Sequence, residues 1–272
     1  MESNIIRILG LDFETQDADP KTTNPTEVGA ALYEVDIAQN TWKKLFGFSH
    51  FIYEPHYPPQ SQKIIELTGI TDEILMSQGK PRKEVFERLL LPLVNQADIV
   101  MCHKTAFDWT LFVETCKRVE LTPPVKELLC TLTNFPWPGK YTCHKLGHLA
   151  WEHGIDVKAA DLHRAENDVD LMVQLVASKY KIKDVLAYAR SPWVYLKADI
   201  LGPWAGKGGD GGVQKGIASG LGFSFESVKG TDFPKWPKTW VTRVKSGREM
   251  EVINLASASE SPFRVSVIEG LS

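Results

Sequence analysis

The stretch ILGLDFETQ, residues 8–16, decides how this chain folds. With Ile5 and Ile6 just before it, the run has the apolar character of a buried strand over residues 4–12, yet Asp12 and Glu14 stand two residues apart near its end. Alternate residues of a strand face the same side of its sheet. The two carboxylates therefore share a face, and like charges that close are costly unless something neutralises them. A divalent cation meets that need.

The neighbouring sequence repeats the strand signal. EVGAALYEVD (27–36) and WKKLFGFSHFIYE (42–54) read as two further strands with a turn at 38–41, and such a short link predicts an antiparallel meander. Thr71 looks like the cap of a short helix. Val85, Phe86, Leu89, Leu90 and Leu93 recur at helical spacing, with Pro92 set to end or kink that run. Beyond it, ADIVMCH (97–103) reads as a buried strand, DWTLFVETCKRVEL (108–121) as an amphipathic helix and VKELLCTL (125–132) as a strand. CHKLGHLAWEHGI (143–155) reads as a helix stopped by Gly154, and AENDVDLMVQLVASKY (165–180) as a strongly periodic helix. Three strands followed by alternating helices and strands predict an α/β fold, a mixed sheet with helices on its faces, over residues 1–190.

Composition bounds the rest. The 272 residues are 43% hydrophobic and 24% charged, enough for one sizeable core and a small appended unit. Glu2 stands where a secretory leader would be basic, and no apolar run reaches the length of a membrane span, so a cytoplasmic location and no membrane partner are expected. Cys102, Cys116, Cys130 and Cys143 form no CxxC pair and are expected to be reduced thiols.

The net charge of −3 does not by itself indicate a nucleic-acid partner, but it is unevenly spread. Residues 191–272 hold ten basic and eight acidic side chains. Between Gly202 and Gly222, nine of 21 residues are glycine, which no regular element tolerates, so residues 191–222 read as a linker or mobile loop. Within it GPWAGKG resembles a phosphate loop, but its spacing is one residue short and Gly208 stands where Ser or Thr must hold a metal. Residues 223–272 then read as a small β-rich unit, with SFESVKG and TWVTRVKSGREMEVINL as strands. Its stretch KGTDFPKWPKTWVTRVKSGR (229–248) carries six basic residues and one acid among Phe233, Trp236 and Trp240. Two readings stay open there: a surface for single-stranded nucleic acid, with Trp236 and Trp240 stacking on bases, or a solvated hairpin whose tryptophans pack inward.

Further carboxylates stand at element boundaries. Asp108 opens the helix that follows ADIVMCH, and Asp168 lies in the first turn of the helix at 165, five residues after His163. Asp12, Glu14, Asp108 and Asp168 with His163 form a candidate two-metal centre, in which hard oxygen ligands suit Mg²⁺ or Mn²⁺. Two such ions about 4 Å apart can clamp the attacking and leaving oxygens of a phosphodiester.

These motifs resemble those of the DEDDh family of 3′→5′ exonucleases, the class of polymerase proofreading domains and ribonuclease T. LDFET with EVGA downstream, CHKTAFD, and HRAEND with its His-x4-Asp spacing occur in order, and TGIT at 68–71 is similar to a further signature between the first two. The resemblance implies a ribonuclease-H-like fold and hydrolysis of single-stranded DNA from its 3′ end to nucleoside 5′-monophosphates. It implies that Asp12 bridges two ions, that Glu14 and Asp168 complete the site that activates water, and that Asp108 holds the second ion largely through water. His163 would be the general base. Phe13, Thr15, Gly69, Ile70, His103 and Phe107 fall where such enzymes line the pocket for the last nucleotide. Nucleic acid with single-stranded 3′ ends is the implied partner, and replication or repair proteins belong to the same expectation.

One departure follows Thr15, where QDADPKTTNP replaces the Thr-Gly that family members often carry and adds the acids Asp17 and Asp19. An exoribonuclease is the alternative, because contacts that sense a 2′-hydroxyl are not legible in the motif residues. A non-catalytic nucleic-acid-binding adaptor is the alternative of another class, and the intact set of five residues counts against it. His144 and His148 have the i, i+4 spacing of a metal pair, but with no acid or cysteine to complete a tetrahedral set they read as surface histidines. Trp109 and Trp151 read as core, and Trp193 and Trp204 as either core or surface.

Overall fold

The computed structural model describes residues 4–137, 143–157, 163–200, 218, 223–227, 239–256 and 263–269. Trp204, Trp236 and nearly all of the glycine-rich stretch lie outside them. The chain divides into two compact units. Among the described residues the first holds 4–136 and 143–186, and the second holds Trp137 and the residues from Ala187 onward.

The first unit is built on a five-stranded sheet of order β3-β2-β1-β4-β5. Strands β1 (Ile5–Thr15), β2 (Pro25–Asp36) and β3 (Thr41–Phe51) form the expected antiparallel meander. Strands β4 (Ile99–Cys102) and β5 (Glu127–Cys130) add in parallel on the other side of β1, so the sheet is mixed. Between β3 and β4 run α1 (Gln62–Thr68), α2 (Asp72–Gln78), capped by the Thr71 hydroxyl, and the short α3 (Arg82–Glu84). Pro92 does not end the helix there. The chain passes from α3 through a π-helical turn, Val85–Leu90, into α4 (Leu91–Gln96), where Pro92 lies in the first turn and its missing N–H is tolerated. Helix α5 (Thr105–Arg118) follows β4, α6 (Leu146–Glu152) stops before Gly154 at φ +68°, and α7 is Ala165–Lys179.

Alternation along β1 divides its side chains between two environments. Leu9, Leu11 and Phe13 enter a core with Val28, Ala30 and Leu32 of β2, Phe86 and Leu90 of the π turn, and Leu111 and Phe112 of α5. Gly10, Asp12 and Glu14 face the other way, toward α7. A Cβ on Gly10 would lie 2.9 Å from Val169, and one on Gly29, the partner of Asp12 in the β1–β2 register, 2.3 Å from the Ala165 backbone. Glycine at these two positions lets the helix rest directly on the strands.

The boundary between the units falls within α8 (Ile182–Arg190). The second unit is a four-stranded antiparallel sheet of order β7-β8-β6-β9, made of β6 (Trp193–Ile200), β7 (Ser224–Phe225), β8 (Trp240–Lys245) and β9 (Phe263–Val267). Residues 193–200, expected as part of a linker, are thus a strand, and their alternating Val194, Leu196 and Ala198 supply one side of its core. EMEVINL is not a strand but part of α9 (Glu249–Ala256). Gly247 at φ +95° breaks the chain away from β8, Glu249 and Glu251 sit in the helix's first turn where its dipole favours acids, and Val252 and Ile253 pack on the same core.

This packing corrects the expectation for Trp240. Its indole is 5% exposed in the core with Leu196, Phe223 and Val265, so no base can stack on it. The described cations of the tail are also engaged. Buried Lys245 donates from Nζ to the carbonyls of Ala189 and Ser191 at 2.7 and 2.8 Å and lies 4.2 Å from the centroid of Trp193. Arg243 lies 4.3 Å from that same ring, and Arg248 pairs with Glu251 at 2.6 Å.

Among the described residues no helix is long and apolar enough to cross a membrane, and the four cysteines are free thiols. Lys245→Met keeps the side-chain bulk but strands two carbonyls. It is expected to destabilise the second unit by about 2 kcal/mol, the scale of charged hydrogen bonds. Urea unfolding measures this, and a loss below about 0.5 kcal/mol would mean that the ammonium contributes little beyond a surface contact.

Candidate metal centre

The expected carboxylates meet at the ends of β1 and β4, which run in parallel and so finish on the same edge of the sheet. Two helices approach this edge from opposite faces. From the side of the main core, α5 brings Asp108 in its first turn, 4% exposed. Its carboxylate accepts backbone N–H bonds from Phe13, Lys104 and its own residue, which ties the start of α5 to β1. From the other side, α7 brings Asp168 in its first turn, with the preceding His163 beside it. The ligand atoms of Glu14, His163 and Asp168 all lie within 4.8 Å of one another. The His163 N–H donates to Asp168, and His163 adopts φ +62°, a left-handed geometry that non-glycine residues rarely hold.

The electrostatics are those of an uncompensated anionic cluster. Burial pushes the Asp12 carboxyl far above its ordinary range, and the charges of Asp108, Asp168, Glu14 and Glu27 push it further. Glu14 rises to about 8, first through burial and then through Asp168, Glu27 and Asp108, with Arg164 opposing. Asp108 rises to about 7 through burial, although its backbone donors pull it down. Asp168 rises through burial, offset by His163. Such a set would bind cations. The buried Oδ1 of Asp168 finds no hydrogen-bond partner among the described residues, which leaves its lone pairs open to a cation. Hard oxygen donors of this number fit Mg²⁺ or Mn²⁺.

The residues expected to line a nucleotide pocket fare less evenly. Phe13 lies between the carboxylates in sequence, and alternation turns it to the opposite face, where it stacks on Phe86 at 5.9 Å. The Ile70 side chain is also buried. Neither offers a surface to a base. Thr15 is buried at a bulge in the β1–β2 pairing, and its hydroxyl donates to the Asp17 carbonyl at 2.7 Å. Gly69 ends α1 at φ +70° with open space beside it. His103 has both ring nitrogens engaged. Nε2 must donate to the His144 carbonyl at 2.9 Å, which leaves Nδ1 to accept from Thr131 Oγ1 at 2.8 Å in the neutral ring, and burial lowers its pKa accordingly. Phe107 is half-buried with the Lys104 ammonium 5.8 Å from its centroid.

Trp109 and Trp151 are both expected in the core from the sequence. Trp109 packs on Phe112 at 4.9 Å as core, but Trp151 is 68% exposed on α6, its ring 5.9 Å from His148. An α6 of only two turns buries Leu149 and Ala150 and leaves its opposite face, with Trp151, in solvent. His148 contacts Glu152 at 3.5 Å, and no further acid or cysteine joins it in a metal-binding group among the described residues.

Sequence reasoning missed Glu27. It stands opposite Glu14 in the β1–β2 register, is 1% exposed, and binds Arg164 and Ser49. Its position in EVGA, two residues before the glycine on which α7 rests, was the available signal.

Comparison with known proteins identifies the family and the fold. The Exonuclease (RNase T) family model matches residues 9–176. No curated protein sequence matches the chain. Among solved structures, E. coli exonuclease I in a zinc-bound complex with single-stranded DNA superposes with a TM-score of 0.55 at 15% identity, over 71% of this chain and 48% of that one. Exonuclease I from Methylocaldum szegediense gives 0.55 at 14% identity over 71% and 48%. Cell-death related nuclease 4 gives 0.50 at 13% over 63% and 62%. At these identities the likeness is one of fold, and the chain spans about half the length of the exonuclease I structures it matches.

The raised carboxyl values have a consequence for stability. In the unfolded chain these groups lose their protons near pH 4, whereas the folded, ion-free site still holds protons up to about pH 7 for Asp108 and about 8 for Glu14. Their contribution is fully present below the unfolded values and is lost as pH rises through the folded ones. The Tm of chelator-treated protein is therefore expected to fall from about pH 4 to about pH 8 and to level off above that, and added Mg²⁺ to raise it more at the alkaline end. A Tm that is flat with pH and indifferent to Mg²⁺ would contradict a buried anionic site.

Proposed function

The chain belongs to the RNase T exonuclease family, and on that premise we propose that it is a divalent-metal-dependent 3′→5′ exonuclease acting on single-stranded DNA. The observation that carries this is the meeting of Asp12, Glu14, Asp108 and Asp168 with His163 at one sheet edge, with Asp168 Oδ1 buried and unpartnered. The solved exonuclease I structures in complex with single-stranded oligonucleotides favour DNA as the substrate. In this reading residues 1–190 carry the nuclease and 223–272 form an appended module.

Asp12, Glu14 and Asp168 would hold one divalent ion, and Asp12 with Asp108 a second. Bound there, two ions supply neutralisation of the carboxylates and Lewis-acid polarisation of the scissile phosphate. His163, exposed beside Glu14 and Asp168, would take the proton from the attacking water. The water oxygen forms a bond to phosphorus, the bond to the 3′-oxygen of the preceding nucleotide breaks, and a nucleoside 5′-monophosphate leaves.

DNA and RNA oligonucleotides of matched sequence, labelled separately at each end, test this with Mg²⁺ and with chelator. The 3′ label is expected to leave first as a mononucleotide, DNA to be degraded faster than RNA, and chelator to stop the reaction. Asp12→Ala is expected to abolish turnover, since one residue serves both ions. His163→Ala is expected to lower kcat by about 10²- to 10⁴-fold with little change in KM, the range for a lost general base. Turnover in chelator, or early release of the 5′ label, would overturn the proposal. Degradation of RNA alone would move it to an exoribonuclease, and binding without cleavage to an adaptor.

A further inference from the structure

Of the five carboxylates that converge on the site, Glu27 has no oxygen to spare. Its Oε1 accepts from Ser49 Oγ at 2.8 Å and from Arg164 at 3.1 Å. Its Oε2 accepts from Arg164 Nε at 3.1 Å and from the Ala165 N–H at 3.4 Å. A carboxylate so committed is an anchor and not a cation ligand.

What it anchors is the chain on either side of Arg164. On one side His163 holds a left-handed backbone at φ +62°. On the other, Ala165 opens α7, and its N–H is one of the donors that a helix start leaves without an intrahelical partner. The Arg164 guanidinium binds Glu27 as a two-pronged fork, a geometry that a lysine cannot reproduce. Its carbon lies 5.2 Å from the centroid of the Phe51 ring, so β2 and β3 both brace it.

We infer that Glu27 and Arg164 are positioning residues that hold His163 in its left-handed conformation beside Glu14 and Asp168. Neither touches the reacting atoms. Both act through His163, and the inference rests on the proposed function in so far as His163 is the base.

Arg164 is the safer residue to change, because its side chain is 44% exposed whereas Glu27 is enclosed. With a melting curve to confirm folding, Arg164→Ala is expected to lower kcat by about 10- to 100-fold, as for outer-shell partners of metal sites, and to leave KM nearly unchanged. Arg164→Lys is expected to recover only part of the loss. Glu27→Gln, which keeps the shape but weakens the fork, is expected to show the same split between kcat and KM. In a His163→Ala background, Arg164→Ala is expected to have no further effect, since the residue through which it acts is gone. The histidine ring resonances of the ion-free protein provide a readout without turnover: the signal of His163 is expected to move to the position of a freely rotating histidine in Arg164→Ala. Wild-type kcat in Arg164→Ala, a further loss on top of His163→Ala, or an unmoved resonance would each overturn the inference. A wild-type protein that cleaves neither DNA nor RNA would instead overturn the nuclease proposal, and the resonance would still decide the positioning role.

Discussion

The controlling constraint is the mutual repulsion of acidic groups held at one edge of a sheet. Asp12, Glu14, Asp108 and Asp168 are drawn together from two strand positions and two helix starts, and each is pushed toward its protonated form. Left alone, such a cluster opposes folding at neutral and alkaline pH. The surrounding structure answers with directed donors: backbone N–H groups on Asp108, the His163 N–H on Asp168, and the Arg164 fork on Glu27. These donors offset only part of the repulsion. The remainder is what bound cations would offset, so the same feature that weakens the ion-free fold suits it to the proposed chemistry.

Much of the architecture was legible because periodicity reports burial directly. The alternation in β1 and the helical spacing in α7 each have one buried face, and both elements lie where the sequence puts them. Reading was poorer where burial and propensity disagree. Val252 and Ile253 are β-branched and suggested a strand, but acids in the first turn and a glycine before it direct the segment into a helix. Pro92 suggested a break, but at the start of a helical segment it removes a donor that has no partner to lose.

For the site, the acids could be found because each motif carries its own local spacing. The pocket residues could not, since proximity to a motif says nothing about the direction of a side chain. Phe13 shows this most plainly: the pleat that puts Asp12 and Glu14 on one face sends the residue between them to the other. Trp240 shows the same for composition, because a tryptophan among lysines can be the core that those lysines surround. Glu27 was hidden for a third reason. Its role depends on Arg164, 137 residues away in sequence, and no local pattern encodes that pairing.

That separation also bears on how the molecule is made. β1 and β2 leave the ribosome long before the helix that covers Gly10 and Gly29 has been synthesised. Until α7 arrives, one face of the central strands stays open, and the loop closure that brings it home is among the longest in the first unit. The meander and its opposite core can assemble early from residues close in sequence. The anionic edge is completed only when α7 docks and brings Asp168 into place. Docking of α7 adds Asp168 to the acids already in place and brings Arg164 to Glu27, so the site is assembled only with closure of the unit.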